Sequence, residues 1–99
     1  MRLDKFLKVS RLVKRRTLAK ELCDGGRVAV NGRVAKAGTD VEVGHTLQIR
    51  YGARKTTVRV EKIAENVRKE LAVELYTVLD EVRLSEAPLD GEGEDDLED

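Results

Sequence analysis

Sulfur and aromatic side chains are nearly missing from this 99-residue chain, which holds one Cys, one Met, one Phe, two Tyr and no Trp. Cys23 has no second Cys to bridge, and with His45 as the sole His it offers no ligand set at zinc spacing, so a structural disulfide or zinc site is excluded. A reducing cytoplasmic setting is expected. Phe6, Tyr51 and Tyr76 are too few for a base-stacking platform of the kind that reads single strands. No apolar run approaches the roughly 18 residues of a membrane span. The opening Met1-Arg2-Leu3-Asp4-Lys5 lacks the apolar stretch of a secretory signal. A chain of this length holds one domain with one modest core.

Charge is plentiful but sorted. Residues 1–60 carry 15 Lys and Arg against 5 Asp and Glu, whereas residues 61–99 carry 4 against 14. The net charge of zero therefore hides a basic module joined to an acidic end. A small basic module meets a polyanion, and phosphate backbones are the commonest in a cell. The acidic end is either solvated or competes with that polyanion.

Hydrophobic periodicity divides the chain. Leu3, Phe6 and Leu7 share one face of a short helix, with Lys5 and Lys8 on the other. A second helix is predicted over Thr17–Asp24, with Thr17 as N-cap and Gly25-Gly26 as terminator. The period then changes to two. Val28, Val30 and Val34 flank Asn31-Gly32, the pair that a type I′ hairpin requires. Further strands are predicted over Thr46–Tyr51 and Thr56–Val60, joined by a polar turn. From Glu65 to Val82 the stripe Val67, Leu71, Leu75, Val78 and Val82 predicts a C-terminal helix. Beyond it, residues 86–99 hold eight acidic side chains and no cation, a composition that does not order itself.

The candidate binding residues are the cations Arg2, Lys5, Arg11, Lys14, Arg15, Arg16, Lys20 and Arg27. Taken singly, each is an ordinary solvated charge. As a set they have only Asp4, Glu21 and Asp24 among them, so local ion pairing cannot account for them. Phosphates would, with Arg giving forked hydrogen bonds and Lys point charges. Asp4 reads either as a first-turn carboxylate favoured by the helix dipole or as a group that orients Arg16. Cys23 reads as a small core residue. His45 is expected to be exposed, and it has no partner that would make it a general base.

These segments resemble a known module. Arg2-Leu3-Asp4-Lys5-Phe6-Leu7, Lys14-Arg15-Arg16-Thr17-Leu18-Ala19, Gly26 to Val34, and Val43-Gly44 before Leu47 look like the S-four RNA-binding domain, over roughly residues 1–50. The run from Met1 to Leu12, with Lys14 to Lys20, is similar to the stand-alone S-four proteins of ribosome-associated quality control (the RqcP-like family) and their ribosome-associated heat-shock relative. The resemblance implies an α+β fold, with two short N-terminal helices packed on a small, mainly antiparallel sheet. A C-terminal helix and a disordered acidic tail would follow, dividing the chain into 1–62, 63–84 and 85–99.

A cytoplasmic, non-enzymatic monomer without cofactor or metal is expected, and the resemblance implies its task. It would bind obstructed large ribosomal subunits, contact rRNA and P-site peptidyl-tRNA, and support a partner that adds a C-terminal alanine tail. On it Arg2, Lys5, Arg11, Arg15, Arg16 and Lys20 are RNA contacts and Asp4 supports them. His45 departs from the pattern, which has Asp after Gly44, and leaves the geometry of that turn open. Two other readings compete: a protein-interaction module using the acidic end, and a general rRNA-binding assembly or heat-shock factor. An enzyme is disfavoured, because too little chain follows the module for a catalytic domain.

Overall fold

The computed structural model describes residues 1–83. Two helices, α1 (Leu3–Val9) and α2 (Arg16–Asp24), lead into a five-stranded antiparallel sheet. Its strands are β1 (Val28–Val30), β2 (Arg33–Val34), β3 (Thr46–Tyr51), β4 (Arg54–Val60) and β5 (Tyr76–Arg83), in the order β2-β1-β3-β4-β5. A 3₁₀ segment, Lys69–Leu75, precedes β5.

The core lies between the helices and one face of the sheet. Leu3, Phe6 and Leu7 of α1 and Ala19, Leu22 and Cys23 of α2 meet Val28, Leu47, Ile49, Val58 and Val60. The period-two reading of β3 holds, with Leu47 and Ile49 buried while Gln48 and Arg50 face away. Asn31 and Gly32 have φ of 52° and 86°, the left-handed pair that a type I′ hairpin needs. The Asn31 side chain accepts a hydrogen bond from the Thr46 N–H at 2.9 Å, fastening the hairpin tip to β3.

Among the described residues no side chain caps α1. Its first free donors go instead to the loop after β2. The Leu3 N–H bonds to the Thr39 carbonyl at 2.8 Å and the Asp4 N–H to Ala37 at 3.2 Å, while the Val41 N–H returns to Met1 at 2.8 Å. The helix start and this loop therefore satisfy each other's backbone groups, which otherwise remain orphaned at a helix terminus. Asp24 adds a further tie by accepting the Ala37 N–H.

Two expectations are corrected. The second helix begins at Arg16 rather than Thr17, with Arg15 extended before it and no side-chain cap. The predicted C-terminal helix does not form. Lys69–Leu75 is a 3₁₀ segment, and Tyr76–Arg83 is a strand with seven residue pairs to β4, from Val60↔Tyr76 to Arg54↔Arg83. The free edge of β4 offers a row of unpaired backbone groups, and Tyr76, Thr77 and Val78 suit a pleated strand. The irregularity in register opposite Thr57 and Val58 lets Leu79 lie outside the pairing. Only Ala72 and Leu75 of the expected stripe region are buried, whereas Leu71, Val78, Leu79 and Val82 are exposed. The segment assigned to a separate C-terminal helix thus extends the sheet of the module. The acidic tail lies outside the described residues.

The hairpin tip supplies a test. A Cβ added at Gly32 meets no atom within 4 Å, so Gly32→Ala pays only for its left-handed backbone. That cost is about 1–2 kcal/mol. Thermal denaturation should show a midpoint lowered by roughly 4–8 °C or more in a domain of this size.

Candidate nucleic-acid interface

One buried carboxylate organises the basic face. Asp4 sits in the first turn of α1 with its side chain 3% exposed, and two half-exposed arginines converge on it. Arg2 donates from Nε to Oδ1 at 3.1 Å and from Nη2 to Oδ2 at 3.4 Å. Arg16 approaches from the start of α2, with Nε 3.3 Å from Oδ2 and Nη2 3.5 Å from Oδ1. These are long beside the roughly 2.7–2.9 Å of the strongest charge-assisted bonds. Each guanidinium has five N–H donors and spends two on Asp4, leaving the rest to solvent or to an incoming anion. Two arginines on one carboxylate leave the cluster with a net positive charge.

Burial pushes the Asp4 carboxyl upward, but hydrogen bonds from Arg2 and Arg16 outweigh it and hold the group below the ordinary carboxylate range. The hydrogen bond to Asp4 correspondingly raises Arg2. Asp4 is therefore ionised at neutral pH, as the orienting role requires.

The remaining cations surround this centre unevenly. Lys20 lies one turn beyond Arg16 on the same side of α2, and Arg11, Lys14 and Arg15 occupy the α1–α2 loop. All four are exposed, and none has an ion-pair partner among the described residues. Lys5 differs, because its ammonium is paired with Glu65 from far along the chain. Arg27 also differs. It follows α2 at the end opposite Arg16, where its carbonyl accepts the Arg50 N–H at 2.9 Å. It is exposed and lies outside the Asp4 cluster, so the structure does not bring this predicted contact together with Arg2 and Arg16.

The structure adds residues that spacing did not reveal. The β3–β4 turn approaches the α1–α2 loop, so that Tyr51 and Arg54 line a cleft with Arg11, Leu12, Val13, Lys14 and Leu18. The Tyr51 hydroxyl donates to the Leu12 carbonyl, and burial pushes the Tyr51 phenol up to about 12. The single signal for this in the sequence is an aromatic residue beside the turn at Gly52.

Cys23 is fully buried, and that burial, reinforced by Asp4 and Asp24, pushes its thiol up to about 12, which removes it as a nucleophile. His45 is half-buried rather than exposed, and its Nδ1 accepts the Glu42 N–H at 3.2 Å. The imidazole so takes the acceptor place of the expected Asp, and the turn closes around Gly44 at φ 94°.

Replacing Asp4 by Asn should test the orienting cluster. With the Asp4 pKa depressed by folding, its stabilisation is complete above the unfolded value near 3.9 and is lost as pH falls through the lower folded value. Urea denaturation at pH 7 should find Asp4→Asn less stable by about 1–2 kcal/mol, a range discounted for the half-exposed arginines. In acid the two proteins should converge.

Comparison with known proteins places the sequence and the fold among relatives. Residues 1–47 match the S4 domain. The RQC P-site tRNA stabilizing factor of Listeria innocua is 55% identical over 87 residues, covering 88% of this chain and 95% of that protein. The factor of the same name from Bacillus subtilis is 54% identical over 86 residues, covering 87% of this chain and all of that protein. Among solved structures, heat shock protein 15 of Vibrio cholerae, described as trimeric, superposes with a TM-score of 0.74 at 38% identity, over 79% of this chain and 80% of that one. The chain, opening with an S4 domain and alike along most of its length, belongs to the family of the RQC P-site tRNA stabilizing factors.

Proposed function

We propose that this protein is a non-enzymatic RNA-binding factor of ribosome-associated quality control. It binds large ribosomal subunits that still hold a peptidyl-tRNA, touching rRNA and P-site tRNA through its basic face. In that place it supports the addition of a C-terminal alanine tail to the stalled chain by a partner protein on the same subunit. It works in the cytoplasm, as a monomer.

One observation carries this reading: two guanidinium groups, Arg2 and Arg16, are pre-oriented on a buried carboxylate and half-exposed to solvent. An orienting carboxylate reduces the conformational entropy that each arginine loses when it meets a phosphate. The names of the Listeria and Bacillus relatives support P-site tRNA as the target. Exposed Arg11, Lys14, Arg15 and Lys20 extend the surface along the loop and α2, and Arg27 offers a further exposed cation past the far end of α2. Lys5 joins once an anion displaces Glu65 from it. No helix among the described residues is long and apolar enough to cross a membrane.

Arg16→Ala should weaken association with large subunits more than Arg59→Ala. Arg59 is also exposed, but it lies on β4 outside the cluster and pairs with Glu61 at 3.0 Å. A desolvated charge-assisted contact contributes about 1.5–3 kcal/mol, against near zero for a solvated surface charge. Co-sedimentation with purified subunits measures this, and equal retention of the two variants would remove the case for the cluster.

Affinity should also fall steeply with salt as condensed counterions are released, by a log–log slope of about −0.7 to −0.9 per phosphate contact. Binding isotherms at low and physiological salt give the slope. A flat response would return the protein-interaction reading.

A further inference from the structure

We propose that the cleft between the α1–α2 loop and the β3–β4 turn is a pocket for one unpaired nucleotide of the bound RNA. Its base would lie against Leu12, Leu18 and Tyr51, and its phosphate on Arg11, Lys14 and Arg54. The inference rests on the RNA-binding reading above and deepens it, because it turns a sequence-blind cationic surface into one that distinguishes a splayed nucleotide from a paired one.

Size and lining carry the argument. The cleft has a volume of about 180 Å³. This lies below the roughly 300–1,000 Å³ of pockets for drug-sized ligands and leaves room for a single ring system. Its lining combines Leu12, Val13, Leu18 and Tyr51 with the cations Arg11, Lys14 and Arg54. Arg11 and Lys14 have no ion-pair partner among the described residues, and Arg54 has only a loose, half-exposed contact with Glu81 at 3.6 Å. A polyphosphate surface alone would not call for a recess that sets Leu12, Leu18 and Tyr51 beside the cations. A duplex keeps its bases paired and stacked, so its phosphates could reach the rim while nothing entered the cleft. An unstacked base presents a flat apolar face with a phosphate on either side, and this lining complements both.

The cleft is also held in shape before any ligand arrives. Arg11 has φ 65°, unusual for a residue with a side chain. Its neighbours over-determine it. The Arg11 N–H bonds to the Lys8 carbonyl and the Val13 N–H to Leu7, both at 3.0 Å. The fully buried Ser10 hydroxyl donates to the Leu7 carbonyl at 3.2 Å and accepts the Leu12 N–H at 3.4 Å. The Tyr51 hydroxyl fastens the Leu12 carbonyl across the cleft. Backbone strain locked in this way concentrates at ligand clamps.

The test is titration of the full, ¹⁵N-labelled chain with tri-adenylate and tri-uridylate, set beside inorganic phosphate, an RNA duplex and oligoglutamate. The trinucleotides should shift the amides of Leu12, Leu18 and Tyr51 and saturate at a concentration about tenfold below that of phosphate, the increment that one stacked base supplies. Leu18→Trp, which fills the cleft, and Arg11→Gly, which keeps the left-handed backbone but removes the cation, should each weaken trinucleotide binding about fivefold or more. Arg59→Ala should bind as the unaltered protein does. Phosphate, oligoglutamate or duplex acting on the same amides at equal concentration would overturn the proposal, as would unaltered binding by both cleft variants. If that happened while Arg16→Ala still lost large subunits, the pocket alone would fall. Loss of the Arg16 effect with the cleft shifts intact would instead remove the ribosomal reading.

Discussion

A carboxylate taken out of water must be paid for by partners, and in this protein that requirement is concentrated on Asp4. Buried ions without compensation cost several kcal/mol each, so a buried Asp is tolerable only where cations and donors reach it. Arg2 comes from the residue before α1 and Arg16 from the first residue of α2, while the Asp4 backbone is bound to the loop at Ala37. One residue thus fixes the start of α1, to α2 through its side chain and to the loop that leads from β2 to β3 through its backbone N–H. The arginines that answer the electrostatic demand are the ones left half-exposed on the basic face. Fold and candidate site share an interaction, so weakening one weakens the other.

The field of the protein follows from what is paired and what is not. Cations close to Asp4 are hydrogen-bonded to it, those on the α1–α2 loop have no ion-pair partner among the described residues, and Lys5 is held by Glu65 from the acidic half of the sequence. Exposed ion pairs of this last kind contribute little to stability and exchange readily for a phosphate. The half-module of positive charge read from composition is therefore graded in space. A pair of guanidinium groups shared by one carboxylate forms its centre and exposed cations its margin, with the Arg11–Tyr51 cleft at one side.

The C-terminal segment illustrates how a periodic stripe misleads. Leu71, Leu75, Val78 and Val82 recur as a helix face would, yet Tyr76–Arg83 lies in the sheet. The same eight residues are rich in side chains that fit a strand, and periodicity alone does not weigh the open edge of β4. Seven residue pairs to that edge satisfy backbone groups that would otherwise face water, and the register irregularity near Val78 absorbs the mismatch in phase. What a local pattern proposes, an available neighbour decides.

Read from the sequence alone, α1 follows from Leu3, Phe6 and Leu7, the hairpin from Asn31-Gly32, and β3 from alternating Leu47 and Ile49. In each case the cause lies within a few residues: a 3.6 or 2 period of apolar side chains, or a turn that demands positive φ. The sorting of charge and the match of the N-terminal motifs to the S-four module were equally legible, as was the candidacy of Arg16 as the partner of Asp4. Tertiary structure decided the rest. Arg2 joins Arg16 on one carboxylate, Glu65 takes Lys5, and His45 replaces an expected Asp as the acceptor in its turn. Tyr51 meets Leu12 across 39 residues, and β5 chooses the edge of β4. Apart from the short-range contacts of Arg2 with Asp4 and of His45 with Glu42, these depend on groups distant in sequence brought within hydrogen-bonding reach, and no local propensity encodes that distance.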